Sequence, residues 1–139
     1  MRKKIVAGNW KMNSNLTDGT KLFQQVSDYC NHLPSNQLTV IIAPPFTHLH
    51  PFSNIKNSGI SLAAQNCSAE PNGAYTGEVS ASIVFSSGAK YVVIGHSERR
   101  KYFGETNELL KKKIDLALIA GLHPIYYCGE LLEERKQNK

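Results

Sequence analysis

The stretch Tyr91-Val92-Val93-Ile94-Gly95-His96-Ser97-Glu98-Arg99-Arg100 decides the fold class. A short run of aromatic and β-branched residues meets a Gly, a His and then a Ser-Glu pair. The pattern reads as a buried strand turning sharply into a helix, with Ser97 as N-cap and Glu98 at the positive end of the helix dipole. In parallel α/β sheets such strand ends face the ligand crevice.

Similar strands recur on both sides. Lys4-Ile5-Val6-Ala7 reads as a short buried strand. Leu38–Ala43, 60–64 and 124–127 are also β-branched or aromatic-rich and nearly continuous rather than alternating. That suits a parallel sheet covered on both faces. Helical patterns lie between them. Leu22, Phe23, Val26, Tyr29 and Cys30 fall on one helix face, with Thr17 as N-cap. Leu49, Phe52 and Ile55 mark a shorter helix after Thr47. Val79, Ile83 and Val84 mark a third, ended by Gly88. Leu109, Leu110, Ile114, Ala117 and Leu118 mark a fourth, capped by Thr106 and stopped at Gly121. A fifth begins at Glu130. Strand starts near 4, 38, 60, 91 and 122 describe a βαβ series of about 28 residues per unit.

The composition excludes several classes. The chain has 139 residues, 41% hydrophobic, with 16 Lys and Arg against 11 Asp and Glu, a net charge of +5. The excess sits in residues 2–4 and 98–113, two short clusters rather than a basic face, so no nucleic-acid partner is expected. No apolar stretch approaches the roughly 18 residues of a membrane span, and no membrane association is expected. Arg2-Lys3-Lys4 is followed by only Ile5, Val6 and Ala7 before Gly8-Asn9-Trp10-Lys11, too short for a secretory signal core. A cytoplasmic location is therefore expected, and the Asn66-Cys67-Ser68 glycosylation triplet carries no weight. Cys30, Cys67 and Cys128 are few, odd in number and far apart, which argues against a disulfide framework or a zinc knuckle.

Two architectures fit five β/α units. One is a complete doubly wound, flavodoxin-like domain, which the length favours. The other is part of an eight-unit barrel, which needs roughly 250 residues. The end of the chain favours the second: Leu131 to Lys139 has helix propensity but no stop signal, and reads as interrupted within or just after a helix. The one long loop, 65–79, has Pro71-Asn72-Gly73 at its tip; loops of this length are usually functional or interface-forming.

Chemistry-bearing residues cluster at strand ends. Asn9 and Lys11, two apart after the first strand, suit an anionic substrate that develops further negative charge on an oxygen. The alternative is an ordinary solvated lysine. His96 beside the helix start can donate a hydrogen bond to a carbonyl as a neutral imidazole; the alternative is a structural His. His48-Leu49-His50 has ligand-like spacing but no third ligand, and reads as a surface pair at a helix start. Lys111-Lys112-Lys113 reads as a solvated helix face. Cys67 and Cys128 lack an activating partner, so nucleophilic catalysis is unsupported.

Asn9-Trp10-Lys11-Met12-Asn13, Gly73-Ala74-Tyr75-Thr76-Gly77-Glu78-Val79-Ser80 and the stretch from Tyr91 to Arg100 together resemble the triosephosphate isomerase family in composition, order and separation. The resemblance covers the whole chain and selects the barrel: a (β/α)8 barrel family, with residues 1–139 forming the N-terminal five or so units of a single barrel domain. It implies interconversion of dihydroxyacetone phosphate and glyceraldehyde 3-phosphate through an enediolate, without metal or organic cofactor. It implies that Asn9 and Lys11 bind substrate, that Lys11 balances substrate charge, and that His96 polarises the carbonyl, an established property of the family. Ser97 and Glu98 would support the site, with Glu98 close to Lys11, and Gln65 and Asn66 would approach it from the third strand. The loop around Thr76 resembles the one that reaches a partner subunit, which implies a homodimer.

Two departures stand out. Tyr127 occupies the position where the family usually carries a cysteine before Gly-Glu, a much larger group behind the site. In addition, the family's catalytic glutamate, lid loop and phosphate-gripping backbone follow strands six to eight, and no carboxylate in 1–139 sits in the corresponding motif. The polypeptide alone is expected to be inactive, and the alternative function is a non-catalytic barrel fragment or interaction module.

Overall fold

A computed structural model describes residues 4–33, 38–56, 58–129 and 135–136. The elements run β1 (Lys4–Asn9), α1 (Leu16–Cys30), β2 (Leu38–Ala43), α2 (Phe46–Ser53), β3 (Ile60–Ala64), α3 (Ala81–Ser86), β4 (Tyr91–Ile94), α4 (Ser97–Phe103), α5 (Asn107–Ile119) and β5 (His123–Tyr126). The helix expected from Glu130 lies outside the described residues, apart from Arg135 and Lys136, which are helical.

All strand pairs are parallel, and the order in the sheet is β1-β2-β3-β4-β5. This singly wound order rules out the flavodoxin-like alternative, in which β1 would lie between β2 and β3. The sheet curls into a half-barrel, with two apolar layers set by strand alternation. Ile42, Leu62, Ala64, Val92 and Ile94 point outward and pack with Phe23, Leu49, Phe52, Val84, Leu110 and Ala117 of the helices. Ile41, Ala43, Ala63 and Val93 point inward, joined by Tyr91 and Ile125. Two buried faces explain the near-continuous apolar runs.

β1 departs from its reading as a buried strand: Lys4 to Gly8 are exposed. Among the described residues it is an edge strand with β2 as its single neighbour, and α1 packs against α2.

The starts of α1, α2 and α3 differ from expectation. α1 is capped by Asn15, whose Oδ1 accepts the Asp18 N–H at 2.9 Å, rather than by Thr17. Its buried face runs through Gly19, Phe23, Ser27 and Cys30, leaving Leu22 and Tyr29 exposed. α2 starts before Thr47, with Pro45 at the cap position, and α3 is capped by Ser80 with Ile83 exposed. α5 begins as read: Thr106 Oγ1 accepts the Leu109 N–H at 3.3 Å. Its buried residues are Leu110, Lys113 and Ala117, so Lys113 is not on the solvated face and Leu118 is exposed. Lys113 falls on the apolar stripe three residues from Leu110 and four from Ala117.

His48 is also a correction. It is buried, its ring edge-on to Phe52 at 5.3 Å and to Trp10 at 6.5 Å between centroids. Its nitrogens face Thr47 Oγ1 at 3.0 Å and the Asn15 carbonyl at 3.1 Å. A Cβ at Gly19 would sit 2.7 Å from this ring, so Gly19 lets α1 lie directly on it. His50, in contrast, is exposed as expected.

Candidate active site

A cleft of about 360 Å³ opens at the carboxyl ends of the strands, lined among others by Asn9, Lys11, Gln65, Asn66, His96 and Glu98. Lys11 has φ +54°, a left-handed conformation that costs a residue with a Cβ about 1–2 kcal/mol. Neighbours hold it there. Its N–H donates to Asn9 Oδ1 at 2.9 Å, and its carbonyl accepts from Gln65 Nε2 at 2.8 Å. Gln65 Nε2 also donates to the Ala43 carbonyl at 2.9 Å, tying the ends of β1, β2 and β3 together.

The backbone turn aims Lys11 at α4. Its Nζ donates to Glu98 Oε1 at 2.6 Å, across 87 positions of sequence. The hydrogen bond from Lys11, with its charge, holds the Glu98 carboxyl below the usual carboxylate range, and the same bond raises Lys11. Both groups are about half exposed, so the pair orients more than it stabilises.

His96 itself is the N-cap of α4, a role the sequence reading gave to Ser97. Its Nδ1 accepts the Glu98 N–H at 3.2 Å, while Ser97 is the exposed first residue of the helix. Since Nδ1 takes a backbone proton donor, the ring's own N–H is Nε2. Nδ1 also lies 3.4 Å from Glu98 Oε2. Gly95 has φ +80°, and a Cβ there would sit 3.0 Å from the Tyr127 carbonyl. Only glycine lets β5 approach the turn this closely. The Arg100 guanidinium then bonds to the Gly95 carbonyl at 3.0 Å, the Tyr126 hydroxyl at 3.0 Å and the Tyr127 carbonyl at 3.3 Å.

Asn66 lines the cleft but is also buried and bonded from below, its Oδ1 accepting from Lys113 Nζ at 2.8 Å. Lys113 Nζ and Arg99 Nε both donate to Glu105 Oε1 at 2.6 Å. Sequence reading missed this buried network; the apolar stripe running through Lys113 was the signal that could have exposed it. Arg99, Tyr102, Phe103, Phe46 and Met12, also missed, line the cleft as well. Thr76 lies outside this lining, in the exposed stretch 71–78, whose base is closed by the Ser68 N–H to Val79 carbonyl bond at 2.8 Å. Burial pushes the Cys67 thiol up to about 11, which leaves it unreactive. Among the described residues no group of three His, Cys, Asp or Glu could hold a metal, and no helix is long and apolar enough to cross a membrane.

A singly wound parallel sheet with Lys11, Glu98 and His96 gathered at its strand ends defines part of a β/α barrel. The family model described as triosephosphate isomerase matches residues 4–139. Triosephosphate isomerases from Bacteroides fragilis and Porphyromonas gingivalis are 52% and 50% identical over all of this chain and 55% of their own length. That of Cytophaga hutchinsonii is 43% identical over 98% of this chain and 54% of its own length. The chain belongs to the triosephosphate isomerase family, and it spans about half the length of the curated relatives it matches.

Proposed function

We propose that residues 1–139 supply the N-terminal β/α units of a single barrel domain that interconverts dihydroxyacetone phosphate and glyceraldehyde 3-phosphate. The observation that carries this reading is the Lys11–Glu98–His96 cluster in the strand-end cleft. Asn9 and Lys11 bind the substrate, and the Lys11 ammonium offsets negative charge on phosphate and enediolate. Asn9 spends its Oδ1 on the Lys11 N–H, leaving its Nδ2 as a donor. His96 Nε2–H donates to the substrate carbonyl, so that oxygen gains charge as the α-proton leaves. Ser97 starts the helix that carries Glu98, Glu98 positions Lys11, and Gln65 and Asn66 fix the floor. No metal or organic cofactor enters this scheme.

The scheme needs a base for the α-proton. Among the described residues Glu98 is the one carboxylate lining the cleft, and the hydrogen bond from Lys11 engages it and lowers its pKa, away from that of an efficient base. A missing general base costs on the order of 10²–10⁴ in rate. The 139-residue polypeptide alone is therefore expected to show negligible turnover of glyceraldehyde 3-phosphate in a coupled assay; turnover near that of an intact isomerase would refute this. We further propose a cytoplasmic location and a homodimer formed through the Thr76 loop.

The exposure of β1 favours a second reading, a non-catalytic barrel segment that acts by association. It shares the inactivity but differs in the contact surface, which sedimentation separates as argued below.

A further inference from the structure

We propose that Tyr127 is a positioning residue that fixes the tautomer and orientation of the His96 imidazole. The proposal rests on the reading of His96 as the carbonyl-polarising group. Among the described residues one hydrogen bond secures this ring, from Glu98 N–H to Nδ1 at 3.2 Å, the long end for such a bond. A single long bond leaves the imidazole free to turn about its outer torsion, which is broad and roughly two-fold. Tilting out of its present plane would break the Glu98 N–H bond to Nδ1, which sets the tautomer, and swing the Nε2 proton away from the face that meets a carbonyl.

The Tyr127 ring supplies the second restraint. Its centroid lies 5.1 Å from that of His96, with the planes tilted by 50°, within the range of favourable aromatic contact. The contact depends on where the end of β5 is held, and three features hold it. The Tyr127 N–H donates to the Ile94 carbonyl at 2.9 Å. Its carbonyl accepts from Arg100 at 3.3 Å. Gly95 permits the approach, since any Cβ there would press on that same carbonyl. Two hydrogen bonds and a glycine thus seat Tyr127 beside the histidine that caps the same turn. His96 is left with little solvent around it, its side chain 14% exposed. A cysteine in place of Tyr127 would be too short to cover the ring in this way.

The test reads the imidazole nitrogens of the ¹⁵N-labelled 139-residue chain by long-range ¹H–¹⁵N correlation at mildly alkaline pH, with His96 assigned from the signals lost in His96→Gln. In the parent and in Tyr127→Phe, Nδ1 is expected in the bare-nitrogen range and Nε2 in the protonated range. The His96 ring protons are expected to be displaced upfield by the aromatic neighbour. In Tyr127→Cys the displacement should vanish and the two nitrogen shifts should converge, reporting a several-fold larger minor tautomer. Tyr127→Leu, with bulk but no ring, serves the same comparison where the cysteine variant loses its dispersed spectrum. Unchanged nitrogen shifts in the ring-less variants would overturn the proposal. So would a Tyr127→Phe variant that behaves like them, since the hydroxyl would then be the active group. The readout needs no turnover, so failure of the isomerase reading in an activity assay is a separate result.

Discussion

Lys113 is a lysine with almost no water around it, its side chain 4% exposed. It survives there because Glu105 and Asn66 accept its protons, and Glu105 in turn accepts from Arg99. Burial alone would push the Glu105 carboxyl up; the hydrogen bonds from Lys113 and Arg99 outweigh it and hold the group below its ordinary value of 4.5. The depressed folded-state value means the unfolded chain binds more protons near and below pH 4.5. The stabilisation is thus complete above that pH and is lost as pH falls through the folded value. Removing one partner of such a network costs about 3–5 kcal/mol, because the remaining charge stays buried. Lys113→Met should lower stability by about that amount in urea denaturation near neutral pH, with Lys113→Met/Glu105→Leu recovering much of it. A Lys113→Met chain as stable as the parent would show that Glu105 finds other compensation. The three-lysine run hid this in the sequence: charge reads as solvated, and only the helical stripe of Leu110 and Ala117 reveals that Lys113 points inward.

Elements show the same division between local chemistry, which is legible, and contact chemistry, which is not. Thr106 caps α5 and Gly121 (φ +85°) ends it as the sequence implies, because cap and stop act within a few residues of chain. The α1 cap was misread because Asn15 and Thr17 are both competent, and the fit against α2 and His48 selects the face that follows Asn15. Gly88 carries a contact that no local pattern discloses. Its φ is +92°, and a Cβ there would overlap the Ser53 side chain at the end of α2. Gly88→Ala therefore meets two penalties, about 1–2 kcal/mol of backbone strain and about 1–3 kcal/mol of overpacking. Ser53→Gly should relieve the second but not the first. Urea melts of the two single variants and the double variant should show a favourable coupling in the double. Additive effects would mean that Gly88 matters for its backbone alone.

At the scale of the whole molecule, strand order was the property the sequence left open and the structure resolved. Five β/α units fit either a doubly wound domain or part of a barrel, since hydrophobic periodicity is the same in both. The resemblance of the motifs around Lys11 and His96 to the triosephosphate isomerase family broke the tie, and the observed order β1-β2-β3-β4-β5 agrees with it. Among the described residues the same topology leaves β1 and β5 as edges, with Ile5 and Val6 each 59% exposed on β1. An exposed parallel edge bearing large apolar residues is a template for another strand, and lysine on such an edge suppresses pairing. The 15.4 kDa chain should therefore sediment as associated species at micromolar concentration, and Ile5→Lys/Val6→Lys should shift it toward monomer. Association through the Thr76 loop behaves oppositely: it persists in the double-lysine variant and is lost in Thr76→Arg, where an exposed charge enters the contact. The two substitutions thus assign any assembly either to the edge that favours a non-catalytic segment or to the loop that a homodimeric isomerase would use. Association untouched by both would remove β1 and the Thr76 loop alike as the contact surface.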